Sequence, residues 1–172
     1  MNTKIRIIFI IIFLPLTVFA QNSFFIGNKT YDSTDEFELK SNQFIGGQNL
    51  KVTIAKNNES GLLIVSCNLY ADFLRIKGKL LIYLDDKSII TCLDKNKYDY
   101  VDNTATTVYY LTKDEIDQLK SSNIYSIRFS IASIQQYATA PSIGAHSVRN
   151  YPKKEFFETN RIDFPKIISE LF

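Results

Sequence analysis

Few residues in this chain are of a type that carries covalent or metal chemistry, and their spacing gives them no partners. His146 is the one histidine. It lies in a Ser/Gly/Ala-rich stretch with no second metal ligand and no nucleophile in a shared motif. The sequence therefore assembles neither a zinc site nor a histidine-activated nucleophile, and an exposed loop is the expected setting. The two cysteines, Cys67 and Cys92, are too widely spaced for a zinc pair. Each sits in an apolar run, where a thiol stays protonated and inert. In an oxidising compartment a Cys67–Cys92 disulfide is one reading. Two buried free thiols is the other, because a chain of this length does not need a covalent staple.

Oxygen ligands are more plentiful. Asp94, Asn96, Asp99, Asp102 and Asn103 fall in one polar stretch, but it lacks the glycine and the terminal glutamate of a calcium loop, so a solvated turn is expected. Asp85 and Asp86 are adjacent in what reads as a hairpin turn, which accounts for both. Neither a phosphate-binding glycine loop nor a G-x-S-x-G turn occurs. No catalytic residue, metal or cofactor is expected on these grounds. Carboxylate pairs of the glycosidase kind meet only in space, so a small carboxylate-dependent hydrolase of the periplasm or cell exterior stands as the alternative function. Tyr98, Tyr100, Tyr109 and Tyr110 cluster in sequence. Exposed together they would suit a protein or glycan partner, since tyrosine joins an apolar ring to a hydrogen-bonding tip. Ordinary strand packing is the competing reading, and the chain has no tryptophan to strengthen a sugar platform.

The elements that must position these residues are mostly strands. Leu50, Val52 and Ile54 alternate with Lys51, Thr53 and Ala55, which specifies a strand with one buried face. Residues 62–69 are apolar at nearly every position and suit the centre of a sheet. Residues 80–84 and 89–93 are β-prone runs joined by Asp85–Ser88, the pattern of a hairpin. A Thr/Val/Tyr-rich strand is expected over 104–111, and Tyr125, Ile127, Phe129 and Ile131 alternate with polar residues in another. Between these two strands the period changes. Thr112 and Glu115 have the spacing of a capping box, with Ile116 and Leu119 as the stripe of a short helix over 113–120. Residues 132–154 read as a long loop with a short strand near 145–148. Phe156–Phe157 could start a further strand, and Asp163–Pro165 opens a closing helix carrying Phe164, Ile167, Ile168 and Leu171.

The segment Tyr109–Lys120 leading into Ile124–Phe129 resembles a pattern of small exported proteins of Bacteroidota. In that pattern a strand, an L-T-x-E-x-I-x-x-L helix and an I-x-x-I-R strand precede a short C-terminal helix. The resemblance implies structure and export, and carries no activity with it.

Residues 1–20 have the order of a secretory signal: Lys4 and Arg6, an apolar run from Ile7 to Leu14, Pro15, then small residues at Val18 and Ala20. The apolar stretch is short for a membrane span of roughly 20 residues, and Gln21 stands where a lipoprotein would carry cysteine, so no lipid anchor is expected. Removing 20 of the 172 residues leaves 152, the ordinary length of one domain, so residues 21–172 are expected to form a single β-rich unit. The chain has 20 basic and 18 acidic residues, and loss of Lys4 and Arg6 leaves 18 of each. A neutral chain without a basic block is a poor nucleic-acid ligand. The sequence thus points to an exported α+β domain. It has a mainly antiparallel sheet or two-layer sandwich, one short crossing helix and a C-terminal helix, and it acts by binding a protein or glycan, without catalysis or a membrane anchor. Intact-mass measurement on protein from the native host should find Gln21 at the N-terminus, in material recovered without detergent. Retention of residues 1–20 in the membrane fraction would contradict export by cleavage.

Overall fold

Ser60–Asn68 sets the problem that the fold solves: Leu62 and Ile64 project to one side of this strand, Leu63, Val65 and Cys67 to the other, and all are buried. A strand that is apolar on both faces needs cover on both. The structure, a computed structural model, describes residues 22–41, 47–150 and 161–172. The expected signal (residues 1–20) and the Phe156–Phe157 strand lie outside that range.

The described residues form twelve strands and two helices. In chain order these are β1 (Asn22–Ile26), β2 (Lys29–Ser33), β3 (Phe37–Ser41), β4 (Leu50–Asn57), β5 (Ser60–Asn68), β6 (Leu74–Ile76), β7 (Leu80–Leu84), β8 (Ile89–Cys92), β9 (Tyr98–Val101) and β10 (Thr104–Leu111). They are followed by α1 (Lys113–Ser121), β11 (Ile124–Ser133), β12 (Gly144–Arg149) and α2 (Phe164–Leu171). The strands join in the order β8-β7-β11-β12-β3-β4-β5-β10-β9, with β2 attached to β4, β1 to β2 and β6 to β11. Every pairing is antiparallel. This is the β-rich α+β architecture expected from the sequence.

The sheet curls so that its two halves face each other across one core. Leu50, Val52 and Ile54 of β4, Leu63 and Val65 of β5 and Tyr109 of β10 meet Ile76, Ile82, Phe129 and Val148 from the other half. Each such side chain contributes about 1.5–3 kcal/mol by leaving water. On the convex side Ala55, Leu62, Ile64 and Val108 form a second, smaller cluster, roofed by Phe24, Ile26 and Tyr31 of the β1–β2 hairpin. That hairpin turns at Gly27, whose φ of +59° suits the first central position of a two-residue turn.

Two segments differ from expectation. The polar stretch after β8 contains β9, which pairs with β10 through a two-residue turn. Asp102 (φ 50°) and Asn103 (φ 61°) supply the paired left-handed conformations of a type I′ turn, so their polar character serves the backbone. His146 lies on β12, paired opposite Phe129, and only 5% of it is exposed, not in an exposed loop as its neighbours suggested.

The crossing helix α1 is held by its capping box. Thr112 Oγ1 accepts from Glu115 N at 3.3 Å, and Glu115 Oε2 accepts from Thr112 N at 2.7 Å. Ile116 and Leu119 are buried, and Gly61 lets Ile116 sit directly on β5: a Cβ there would lie 2.6 Å from Ile116 Cδ1. Lys120, expected to face water, instead rests over the Phe172 ring with Nζ 5.6 Å from its centroid. Helix α2 begins at Asp163, which accepts from Lys166 N at 3.2 Å, and seats Phe164 edge-on against Phe37 at 5.7 Å. Its entry is fixed by Asn150, which donates from Nδ2 to Ile162 O at 2.8 Å and accepts from Ile162 N at 3.1 Å. Leu119→Ala should cost about 2–5 kcal/mol and Gly61→Ala about 1–3 kcal/mol, against less than about 1 kcal/mol for Lys120→Ala. Urea unfolding of the three variants checks the order, and equal losses for Leu119→Ala and Lys120→Ala would refute this packing.

Candidate functional site

The β1–β2 hairpin roofs only part of the convex face, and what it leaves open is a groove. Phe24, Phe25, Ile26 and Gly27 form one wall, residues 96–99 and Val101 the other, and Thr104, Thr106 and Val108 of β10 the floor, enclosing about 440 Å³. Strand alternation decides which side chains face it. Asp99 and Val101 lie opposite Thr106 and Thr104, so they share the convex face with Val108. Phe25 is 69% and Val101 58% exposed, and together they form an apolar rim.

The two walls differ in their backbones. Among the described residues β1 pairs only with β2, so its other edge presents N–H and C=O groups along the groove that no described strand takes up. β9 is also an edge, but Asp99 blunts it by accepting the Tyr100 N–H at 2.8 Å. An extended segment entering the groove therefore meets hydrogen-bonding partners on the β1 side.

The four sequence-clustered tyrosines do not form one patch. Tyr98 and Tyr100 project to the concave side of β9, where the Arg75 guanidinium lies 5.8 and 5.0 Å from their ring centroids. Tyr100 Oη donates to Leu69 O at 2.7 Å. Tyr109 is wholly in the core and donates to Gly78 O at 3.0 Å; burial raises its pKa, helped by the nearby Asp94 and Cys92. Tyr110 alone reaches the convex surface, opposite Leu62. Of the four, only Tyr98 borders the groove. Phe25 and Val101, the residues that do shape it, carry no local signal. They meet because a hairpin from the N-terminal end folds over β10.

The remaining candidates are engaged in contacts within the fold. His146 stacks on Phe129 at 5.5 Å and donates from Nε2 to Ser142 O at 2.8 Å, pinning the loop before β12. Cys67 and Cys92 are free thiols. Cys67 sits on β5 opposite Ala105 and Cys92 on β8 opposite Leu80, on strands that are not neighbours, and the bridge is not made. Burial pushes both thiols up to about 12, with the Glu115 charge adding to Cys92. Among the carboxylates, Glu38 is held below its ordinary value chiefly by a hydrogen bond from Lys40, and Asp86 by hydrogen bonds from Ser88. A glycosidase general acid needs a shift in the opposite direction. Asp94 is spent on the Gly78 and Asn96 amides, at 2.8 and 2.7 Å. Among the described residues no three His, Cys, Asp or Glu side chains come together to hold a metal, and no helix is long and apolar enough to cross a membrane.

The chain matches no family model, no curated protein and no solved structure.

The buried thiols generate a pH prediction. Their pKa rises from 9.0 to about 12 on folding, so the stability they contribute is present below pH 9 and lost as pH rises from there towards about 12. The loss is up to about 1.4 kcal/mol per pH unit for each thiol. Urea midpoints between pH 7 and 11 should fall on the alkaline side, less steeply in the Cys67→Ala/Cys92→Ala variant. Parallel curves would remove the thiols as the cause.

Proposed function

We propose that this protein is an exported, non-catalytic binding domain whose partner is a protein, engaged as an extended segment in the groove between β1 and β9. The observation that carries the proposal is the pairing of an exposed apolar rim, Phe25 and Val101, with the open backbone edge of β1. Strand addition draws on both features: main-chain hydrogen bonds supply affinity, and alternate side chains read the floor. Of the protein and glycan partners that the sequence allows, the groove favours the protein. Its exposed surfaces are Phe25 and Val101, set beside an unpaired strand edge. Export rests on the signal-like order of residues 1–20.

A peptide selected from a random library against the mature chain should protect the β1 amides from hydrogen exchange. Its affinity should fall at least tenfold on Val101→Asp, and also when the amides facing β1 are N-methylated. Val101 is exposed, so the melting temperature should hardly change. Peptides that bind without protecting β1, or that are indifferent to Val101→Asp, would remove the groove from this reading.

A further inference from the structure

We infer that the outer face of the β7–β11–β12 part of the sheet is a second site, built to take a carboxylated saccharide. Cross-strand register places Ser126 opposite Arg149 and Arg128 opposite Ser147, which makes the two arginines diagonal neighbours on adjacent strands. Beside them lies a basin of about 380 Å³, lined by Arg128 with Tyr83, Tyr125, Ser126, Ala145, His146 and Ser147, and Arg149 adjoins it through the Tyr125 ring. Its floor is small because Ser126, Ala145 and Ser147 are small, and its walls are the two tyrosine rings.

The charge in this basin is unmatched. Lys40, Lys51, Lys113 and Arg161 each take a carboxylate, from Glu38, Glu36, Glu59 and Asp85 respectively. Arg128 and Arg149 take none among the described residues. Arg149 instead stands over the Tyr125 ring, 5.6 Å from its centroid. Two like charges on neighbouring strands repel, and a planar anion between their guanidinium forks would replace that repulsion with paired charge-assisted hydrogen bonds. The site thus calls for a carboxylate.

The rest of the basin calls for a ring. Phosphate alone would satisfy the arginines but leave both tyrosine walls unused, whereas a sugar sets its C–H face on a tyrosine ring and its hydroxyls against Ser126, Ser147 and the tyrosine tips. An acidic peptide fits less well. β11 is paired on both sides, to β7 and β12, and β12 to β11 and β3. The backbone of β11, the strand at the middle of the basin, is thus spent on its two neighbours, and recognition there comes from side chains. The volume lies within the range of small-ligand pockets.

The test is calorimetric titration of the mature chain with a tetramer of galacturonate. The matching neutral galactose tetramer, inorganic phosphate and oligoglutamate serve as the other arms. The uronate should bind, more weakly as salt is raised, and should shift the Arg128 and Arg149 Nε–H resonances. Arg128→Gln and Arg149→Gln should each weaken it at least tenfold, Arg128→Lys by an intermediate factor, and Tyr83→Ala measurably. These side chains are on the surface, and circular dichroism should confirm unchanged folds. Val101→Asp, which disables the groove, should leave uronate binding intact. Absence of uronate binding would overturn the proposal. So would binding that survives Arg128→Gln/Arg149→Gln, or oligoglutamate or phosphate binding as tightly as the uronate.

Discussion

The constraint on which the structure depends is that β5 is apolar on both faces and central to the sheet. Its concave side chains, Leu63, Val65 and Cys67, need a facing layer, and the sheet supplies one by curling until β6, β7, β11 and β12 lie opposite. Its convex side chains, Leu62 and Ile64, need separate cover, and among the described residues the β1–β2 hairpin supplies it. Both forms of cover follow from the same residues. The hairpin is too narrow to roof β10 as well as β5. The groove over Thr104, Thr106 and Val108 is therefore the part of the convex face that the fold's own cover does not reach.

A core with this much sheet curvature contains polar groups, and their partners explain why they are structural. Thr107 Oγ1 donates to Ile76 O at 2.7 Å and Tyr109 Oη to Gly78 O at 3.0 Å, fastening β10 to the strand and loop that cross it. Arg75 spends its guanidinium on two carbonyls and two tyrosine rings, which holds the edge strand β9 against β6. Asn150, 2% exposed, ties the end of β12 to the entry of α2. Each group closes a gap between elements that do not share a ladder, where an unpaired polar atom would cost about 1–3 kcal/mol. Polar residues in such positions satisfy backbone groups.

How much of this is legible in the sequence depends on whether the signal is local. Alternation fixed β4 and β11, two β-prone runs around Asp85–Ser88 gave β7 and β8, and Thr112–Glu115 marked the start of α1, because each pattern lies within a few residues. β9 was hidden because Asp99, Asp102 and Asn103 look like a loop when they are an edge-blunting aspartate and a type I′ turn. His146 was misplaced for the opposite reason: its Gly/Ala/Ser neighbours look loop-like, but their small size suits a strand whose outer face is an open basin. The tyrosines clustered in sequence but separated by strand parity, since Tyr109 and Tyr110 must point to opposite faces. The candidate sites themselves join Phe25 to Val101 and Arg128 to Arg149. No local pattern encodes those pairs, because they arise from strand register and from which hairpin folds over which strand.

The two open surfaces differ in a way that bears on what each can bind. The groove runs beside an unpaired edge, so its recognition includes the backbone and tolerates many side chains. The arginine basin is centred on β11, which is paired on both sides, so its recognition rests on a few side chains with fixed directions. Diagonal neighbours on a sheet are about 7–8 Å apart, where two unit charges repel by roughly 0.6 kcal/mol even in water-like surroundings and more where water is thinned. That cost is small enough for a stable fold to carry, and it reverses sign when an anion sits between the charges. Two arginines held side by side on adjacent strands with no carboxylate between them thus favour a negatively charged ligand.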